Sequence, residues 1–347
     1  MTRVHIQGAG TIGAPLAYLL ADRGTELGLD RVTFTKHTPR RSDAPLVDRV
    51  REAGAEFVVD EDRRKQFAQS GFDVDGELDG TVEEATVVVE ATPSGIALDR
   101  KPTYETMDGP EGFLAQGSEA GFGTPFALGV NNDVLDAVDD RFVHIVSCNT
   151  HNIAAIVRAL GDGGHALDSG RVVCIRRATD VGQQGAGPLA PKLSVHDADE
   201  GTHHAEDVVD LYGTRDQDLD LFSSAIKVPT QFMHTIWFQL DLDDPVTREE
   251  AIARFEDDEY IALTDKMNAD LVFNMGRQFG PFGRILNQGV IARESIHTDG
   301  STVSGFCFTP QDGNAILSNV AAVSRFVHPK EWRKRVAAFD DLIVDSI

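Results

Sequence analysis

Cys148 stands in HIVSCNTHNIAAIVRAL, residues 144 to 160, where an apolar strand-like run gives way to helical spacing. A thiol at the joint is placed to react. The thiolate is the nucleophilic form, and a helix N-terminus favours the anion. The other two cysteines of the chain, Cys174 in RVVCIRRA and Cys307 in SGFCFT, lie inside apolar runs and read as core residues. Further polar residues gather downstream. Arg176 and Arg177 follow the apolar Val172–Ile175, His203 and His204 are expected in a loop, and His234 is expected to follow a strand, AIKVPTQFMH. Each alone is ordinary surface chemistry. Together with a thiol they suit binding an anionic substrate and moving its proton. A metal at His203, His204 and His234 is the weaker reading, because no carboxylate or thiolate lies at a recognisable ligand spacing.

These residues need a scaffold. Val143, Ile145 and Val146 predict a strand that ends at Ser147. Ile153, Ile156, Val157 and Leu160 form one helical stripe after it. The N-terminus has the same strand-turn-helix pattern. In RVHIQGAGTIG, residues 3 to 13, Val4 and Ile6 alternate as a strand, and Gly8, Gly10 and Gly13 then fit GxGxxG. Ile12, Pro15, Leu16, Leu19 and Leu20 continue as an apolar helical stripe. In that context the glycines allow a tight turn and close backbone approach, and a dinucleotide pyrophosphate sits at the positive helix end. A glycine turn with no ligand is the bland alternative.

The second strand, Val32–Thr35, is followed by Lys36, His37, Thr38, Pro39, Arg40 and Arg41. NAD-binding versions end this strand with an acid that bonds the ribose 2′-hydroxyl. Here a cationic cluster replaces it, so NADP is expected in preference to NAD, with Lys36 as the reader. In VVVEATPSG, Val87–Val89 predict a buried parallel strand, and Thr92 lies in the turn beyond its carboxyl end, where cofactors bind. Gly117 is a further candidate for close approach to the cofactor.

At 347 residues two domains are expected. The hydrophobic fraction of 41% supports sizeable cores. No apolar run has the length of a membrane span, and no basic region followed by an apolar stretch opens the chain. Three widely spaced cysteines fit neither a disulfide framework nor a zinc signature, and suit a reducing cytoplasm. The 56 acids outnumber the 32 bases, for a net charge of −24. That surplus argues against nucleic acid or anionic membrane as partners. The acids are dispersed in short clusters such as DEDRR and FEDDE, which suggests a salt-rich cytoplasm where screening removes self-repulsion.

The ordered motifs are specific. The chain carries GAGTIG at 8 to 13, TKHTP at 35 to 39, VVVEATPSGI at 87 to 96, AQG at 115 to 117 and VSCNT at 146 to 150. It continues with IRRATD at 175 to 180, THHAEDV at 202 to 208, SSAIKVPTQFMH at 223 to 234, ARESI at 292 to 296 and PQDG at 310 to 313. In these it resembles archaeal-type (type II) phosphorylating glyceraldehyde-3-phosphate dehydrogenase, as a haloarchaeal member or a diverged paralogue. The resemblance implies an α/β fold: a Rossmann domain over 1–148 and 313–347, and an α+β catalytic domain with a mixed sheet over 149–312. A final helix near Asn314–Phe326 would return to the Rossmann domain, and the assembly would be a homotetramer. Carried over residue by residue, Cys148 looks like the nucleophile and His234 its base. Ser147 and Asn149 would touch substrate beside Arg176. His203 and His204 match the pair near the substrate phosphate, with His204 and Ala205 the closer contacts. Thr11, Ile12, Gly117, Arg177 and Gln311 match cofactor-contacting positions.

The chain also departs from the family. Where the family continues CNTTG, this sequence has Cys148-Asn149-Thr150-His151-Asn152. The family's lysine-glycine-proline step becomes Gly185-Ala186-Gly187-Pro188, and the second histidine of MHxH becomes Ile236. The expected activity is NADP- or NAD-dependent oxidation of glyceraldehyde 3-phosphate with inorganic phosphate as acyl acceptor. The alternatives are a paralogue acting on another short phosphorylated, sulfonated or semialdehyde substrate, with or without phosphate, and a non-catalytic binding or regulatory paralogue.

Overall fold

The computed structural model describes residues 1–137, 140–179, 187–194 and 201–347. Asp180 of the IRRATD motif and Gly185-Ala186 lie outside the described residues. The chain divides into two compact units. One comprises Met1–Phe126, Asp133–Ile145 and Ile316–Asp340; the other comprises Ala127–Asn132, Val146–Ala315 and Asp341–Ile347.

The first unit holds eight strands: β1 (Arg3–Gln7), β2 (Arg31–Thr35), β3 (Glu56–Val59), β4 (Gly76–Glu77), β5 (Val87–Glu90), β6 (Gly112–Gln116), β7 (Thr124–Phe126) and β8 (Phe142–Ile145). They form one sheet in the order β4-β3-β2-β1-β5-β6-β8-β7, with every pairing parallel. Strand order reverses direction between β1 and β5, which is the switch point where such sheets bind nucleotides. Val87, Val88 and Val89 of β5 are wholly buried, as a strand covered on both faces requires. The helix Ile316–Val327 belongs to this unit and packs on β5, β6 and β8. Gly112 makes that packing possible, because a Cβ there would overlap the Phe326 ring.

The second unit adds β9 (Leu167–Arg176), β10 (Lys192–Ser194), β11 (Leu221–Lys227), β12 (His234–Leu242), β13 (Ile261–Thr264), β14 (Gly289–Ala292), β15 (His297–Asp299) and β16 (Thr302–Thr309). Its sheet runs β10-β11-β9-β12-β16-β14-β13, with β15 paired to β16. The sheet is mixed: β11 lies parallel to β9, whereas β12 is antiparallel to both β9 and β16. β12 alternates buried and partly exposed residues along its whole length. Its inward side chains, Ile236, Phe238 and Leu240, meet Ile153, Ile156 and Val157 of the helix Cys148–Leu160 in one core. The last residues join this unit, with Ile347 N–H donating to Leu263 O at 2.9 Å.

Three local expectations are corrected. β8 stops at Ile145, two residues before Ser147, because Ser147 is already the cap of the next helix. His203 and His204 stand in no loop; they open the helix His203–Gly213. His234 begins β12 and does not end a strand, since Val228–Met233 form a connection in which Phe232 has φ 80°.

Candidate active site

In the first unit, the glycine turn is built from backbone alone. Gly8 has φ 100°, and a Cβ there would lie 2.7 Å from Ala91 O. A Cβ at Gly13 would overlap the Gly8 carbonyl oxygen. Gly10 differs: nothing lies within 4 Å of its Cβ position, so open space faces the turn. Gly8 and Ala9 N–H both donate to Thr35 O, at 3.2 and 2.9 Å, which ties the turn to the end of β2. The helix Gly13–Asp22 carries no side-chain cap and no acid in its first turn, so no carboxylate of its own competes for an anion there. Thr11 and Ile12 flank that end half-buried. Gly117 also has positive φ, 70°, with open space beside it. These features fit a dinucleotide pyrophosphate.

Other expected cofactor residues have protein partners. Thr92 Oγ1 donates to Glu90 Oε2 at 2.7 Å. Glu90 is buried and held further by Arg100, at 2.8 Å, and by the Tyr104 hydroxyl. Lys36 Nζ lies 2.8 Å from Asp43 Oδ2.

In the second unit, Cys148 is the first residue of its helix and is half-buried. Ser147 caps that helix, accepting Thr150 N–H at 3.3 Å, and the Ser147 and Thr150 hydroxyls lie 2.8 Å apart. Thr150 Oγ1 donates in turn to Asp207 Oδ2 at 3.2 Å. Asn314 Nδ2 donates to the Cys148 carbonyl at 2.9 Å and to Gln288 O at 3.0 Å, which fixes the backbone of the thiol residue. By contrast Cys174 and Cys307 are wholly buried, and burial pushes both thiols up to about 12.

His234 is buried beside Asn149, with its Nδ1 3.1 Å from Asn149 Oδ1. A carboxamide oxygen only accepts, so Nδ1 carries the proton and Nε2 keeps its lone pair. Gln311 Oε1 accepts His234 N–H at 2.8 Å, whereas Gln311 Nε2 is buried without a hydrogen bond. Desolvation first, then the charges of Arg177, Arg176, His204 and Lys227, hold the imidazole well below its ordinary value. The imidazole therefore stays neutral across the physiological range.

Arg176 ends β9 opposite Lys227 of β11, so two cations share one sheet end. Arg176 Nε is buried without a hydrogen bond. Arg177 braces the connection before β12, donating to Phe232 O at 2.7 Å and to Asp312 Oδ1 at 3.1 Å. Ala205 N–H is taken by Ser223 Oγ at 2.9 Å. The His203 and His204 rings lie side by side, centroids 4.1 Å apart and tilted 57° to each other. Together with Asp207 their ligand atoms lie within 4.8 Å of one another, so a carboxylate does stand at metal-ligand distance. The two rings open a helix, whose positive end favours an anion, and Arg176, His204 and Lys227 all act by charge on His234.

The two departures at 151 and 152 point inward. His151 Nδ1 lies 3.0 Å from Ser147 O, and Asn152 Nδ2 donates to Thr309 Oγ1 at 2.7 Å. Cys307 Sγ donates to Asn152 Oδ1 at 2.9 Å. Both residues are helical and wholly buried. Thr150, Asp207 and Asn314 were not singled out from sequence. Asp207 stands one turn after His203 and His204, a signal visible once that pair is read as helical.

No family model matches the chain. Over 342 residues it is 27% identical to the glyceraldehyde-3-phosphate dehydrogenase of Metallosphaera sedula, covering 97% of this chain and 96% of that one. It is 28% identical over 343 residues to the same-named protein of Pyrococcus furiosus, covering 95% of each. With the Halobacterium salinarum protein of that name it shares 26% over 353 residues, 99% of each. These similarities run end to end and mark an archaeal-type glyceraldehyde-3-phosphate-dehydrogenase-like chain, with a Rossmann-like parallel sheet and a separate mixed sheet. They support a dehydrogenase that uses a nicotinamide cofactor.

Proposed function

We propose that this chain oxidises glyceraldehyde 3-phosphate with NADP or NAD, through a Cys148 thioester that inorganic phosphate resolves to 1,3-bisphosphoglycerate. The observation that carries the reading is the Asn149–His234 hydrogen bond immediately after Cys148, which leaves Nε2 of a neutral imidazole available as base. The Cys148 sulfur adds to the aldehyde carbon, and the positive helix end favours its anion. His234 takes the hydroxyl proton of the thiohemiacetal. When bound, the nicotinamide supplies the hydride acceptor that this oxidation needs. Arg176, His203 and His204 bind the anionic end of the substrate. The turn at Gly8, Gly10 and Gly13 and the helix end at Thr11 and Ile12 hold the cofactor pyrophosphate. His151 and Asn152, engaged inside the protein, leave the anion subsite to those cations.

The test is an aldehyde panel with NAD and NADP, with and without phosphate, in concentrated potassium chloride. Acyl phosphate should form from glyceraldehyde 3-phosphate only when phosphate is present. Full-rate oxidation without phosphate would replace phosphorolysis by hydrolysis, and turnover of a different aldehyde alone would replace the substrate. The medium follows from the −24 net charge, for which a salt-rich cytoplasm and a salt-dependent homotetramer are part of the same reading. Light scattering and thermal unfolding against salt concentration test those parts directly.

A further inference from the structure

The end of β2 lacks the acid that ordinarily accepts an adenosine ribose hydroxyl, yet a carboxylate returns to the lysine that follows the strand. The chain leaves Thr35, turns through Thr38–Arg40 and enters the short 3-10 turn Arg41–Asp43. Backbone bonds Arg40 N–H to Thr38 O and Asp43 N–H to Arg40 O, both 2.9 Å, fix that return. It ends with Asp43 Oδ2 2.8 Å from Lys36 Nζ, and both side chains are largely shielded, 27% and 17% exposed.

The bland role for Asp43 is a helix cap. It is the N-cap residue of the helix Ala44–Glu52, and aspartate is a favoured residue there. Its side chain makes no capping hydrogen bond. The carboxylate is directed instead to Lys36, with the Ser42 hydroxyl donating to Oδ1 at 3.2 Å. Partial burial works against its charge, but the Lys36 bond and the Lys36 and Arg40 charges outweigh that and hold the carboxyl below its ordinary value. Asp43 is therefore an ionised acceptor beside the cation at the end of β2. Arg40 is exposed beside them, and Arg63 is occupied with His37.

We propose that Asp43 is a specificity-determining residue for the cofactor: with NAD it accepts the ribose hydroxyl, and with NADP it opposes the 2′-phosphate and withholds Lys36. An ionised acceptor favours a hydroxyl donor, and a phosphate in the same place meets a like charge. The pair Lys36–Asp43 thus makes the pocket serve both cofactors, each at a cost to the other. This rests on the proposed nicotinamide binding and deepens it.

The experiment measures direct binding of NADH and NADPH by fluorescence, without aldehyde, to wild type, Asp43→Asn and Lys36→Ala. Thermal melts check that each variant is folded. For Asp43→Asn, NADH should bind about tenfold more weakly, the size of a lost bond to a charged acceptor. NADPH should bind severalfold more tightly. Lys36→Ala should weaken NADPH alone. Equal weakening of both nucleotides by Asp43→Asn would make the residue structural and overturn the proposal, as would no change in either. Weaker NADPH binding in that variant would show that Asp43 only positions Lys36, and would overturn it too. Failure of the wild type to bind either nucleotide would remove the dehydrogenase reading itself, a result separate from the others.

Discussion

The glycine turn after β1 and the polar cluster around Cys148 both sit where a parallel-sheet strand ends and a helix begins, but they are made of different material. The turn is backbone. Its working parts are the absence of side chains at Gly8 and Gly13 and the empty space at Gly10. The cluster is side chain, and its parts come from distant segments: Asn149 meets His234 across 85 positions, and Thr150 meets Asp207 across 57. A site of backbone is specified by local spacing and fails through crowding. A site of side chains is specified by packing and fails through lost orientation.

The contrast breaks most sharply at the thiol. Cys148→Ser should lower hydride transfer by more than about 10³-fold while nucleotide binding persists, because sulfur serves only the thioester. Stopped-flow absorbance and nucleotide fluorescence separate the two, and activity within about tenfold of wild type would end the nucleophile assignment. The turn should fail differently. Gly13→Ala sets a Cβ against the Gly8 carbonyl, and should cost about 3 kcal/mol or more of stability in denaturant unfolding. Gly10→Ala meets nothing in the protein, so it should keep stability and lose nucleotide affinity. Equal stability losses in both would refute the division between a structural and a ligand-facing glycine.

Asn149→Ala should act on orientation alone. The imidazole would lose the partner that fixes its tautomer, and kcat should fall about 100-fold with stability nearly unchanged. An unchanged kcat would show that Asn149 does not orient the imidazole for catalysis. A gradual effect is expected with pH. His5 is buried against Thr33 at 2.8 Å, and burial above all lowers it from 6.5 to about 3. Between those values the unfolded chain holds a proton that the folded one lacks, so stability falls as pH drops from about 6.5 toward 3. The slope should approach about 1.4 kcal/mol per pH unit for each such histidine, and His234 adds to it in the same direction. Urea midpoints measured from neutral pH downward check this; His5→Asn should flatten the slope.

Legibility followed the same division. GxGxxG after an alternating strand, the triple valine of β5 and the thiol at a helix start were readable because each is a pattern within about twenty residues, where periodicity and turn chemistry act. The histidine pair was misplaced in a loop because acid- and glycine-rich flanks hide a helix whose apolar face, Val208, Leu211 and Tyr212, is defined only by burial in the second core. His234 was placed at the wrong end of a strand because the connection before β12 is apolar itself, and only hydrogen bonding to β9 and β16 shows where pairing begins.

The sequence by itself determined the parallel sheet with its glycine turn, the cysteine at a helix start among three, and the acid surplus. Spacing and composition carry those properties without reference to distant residues. Only the tertiary structure decided which nitrogen of His234 is bonded to Asn149, that Asp207 and Asn314 hold the helix start around Cys148, and that Asp43 faces Lys36 in place of capping its helix. Each of these is a choice of hydrogen-bond partner. A polar side chain has several it can satisfy in sequence terms, and packing brings one of them within reach.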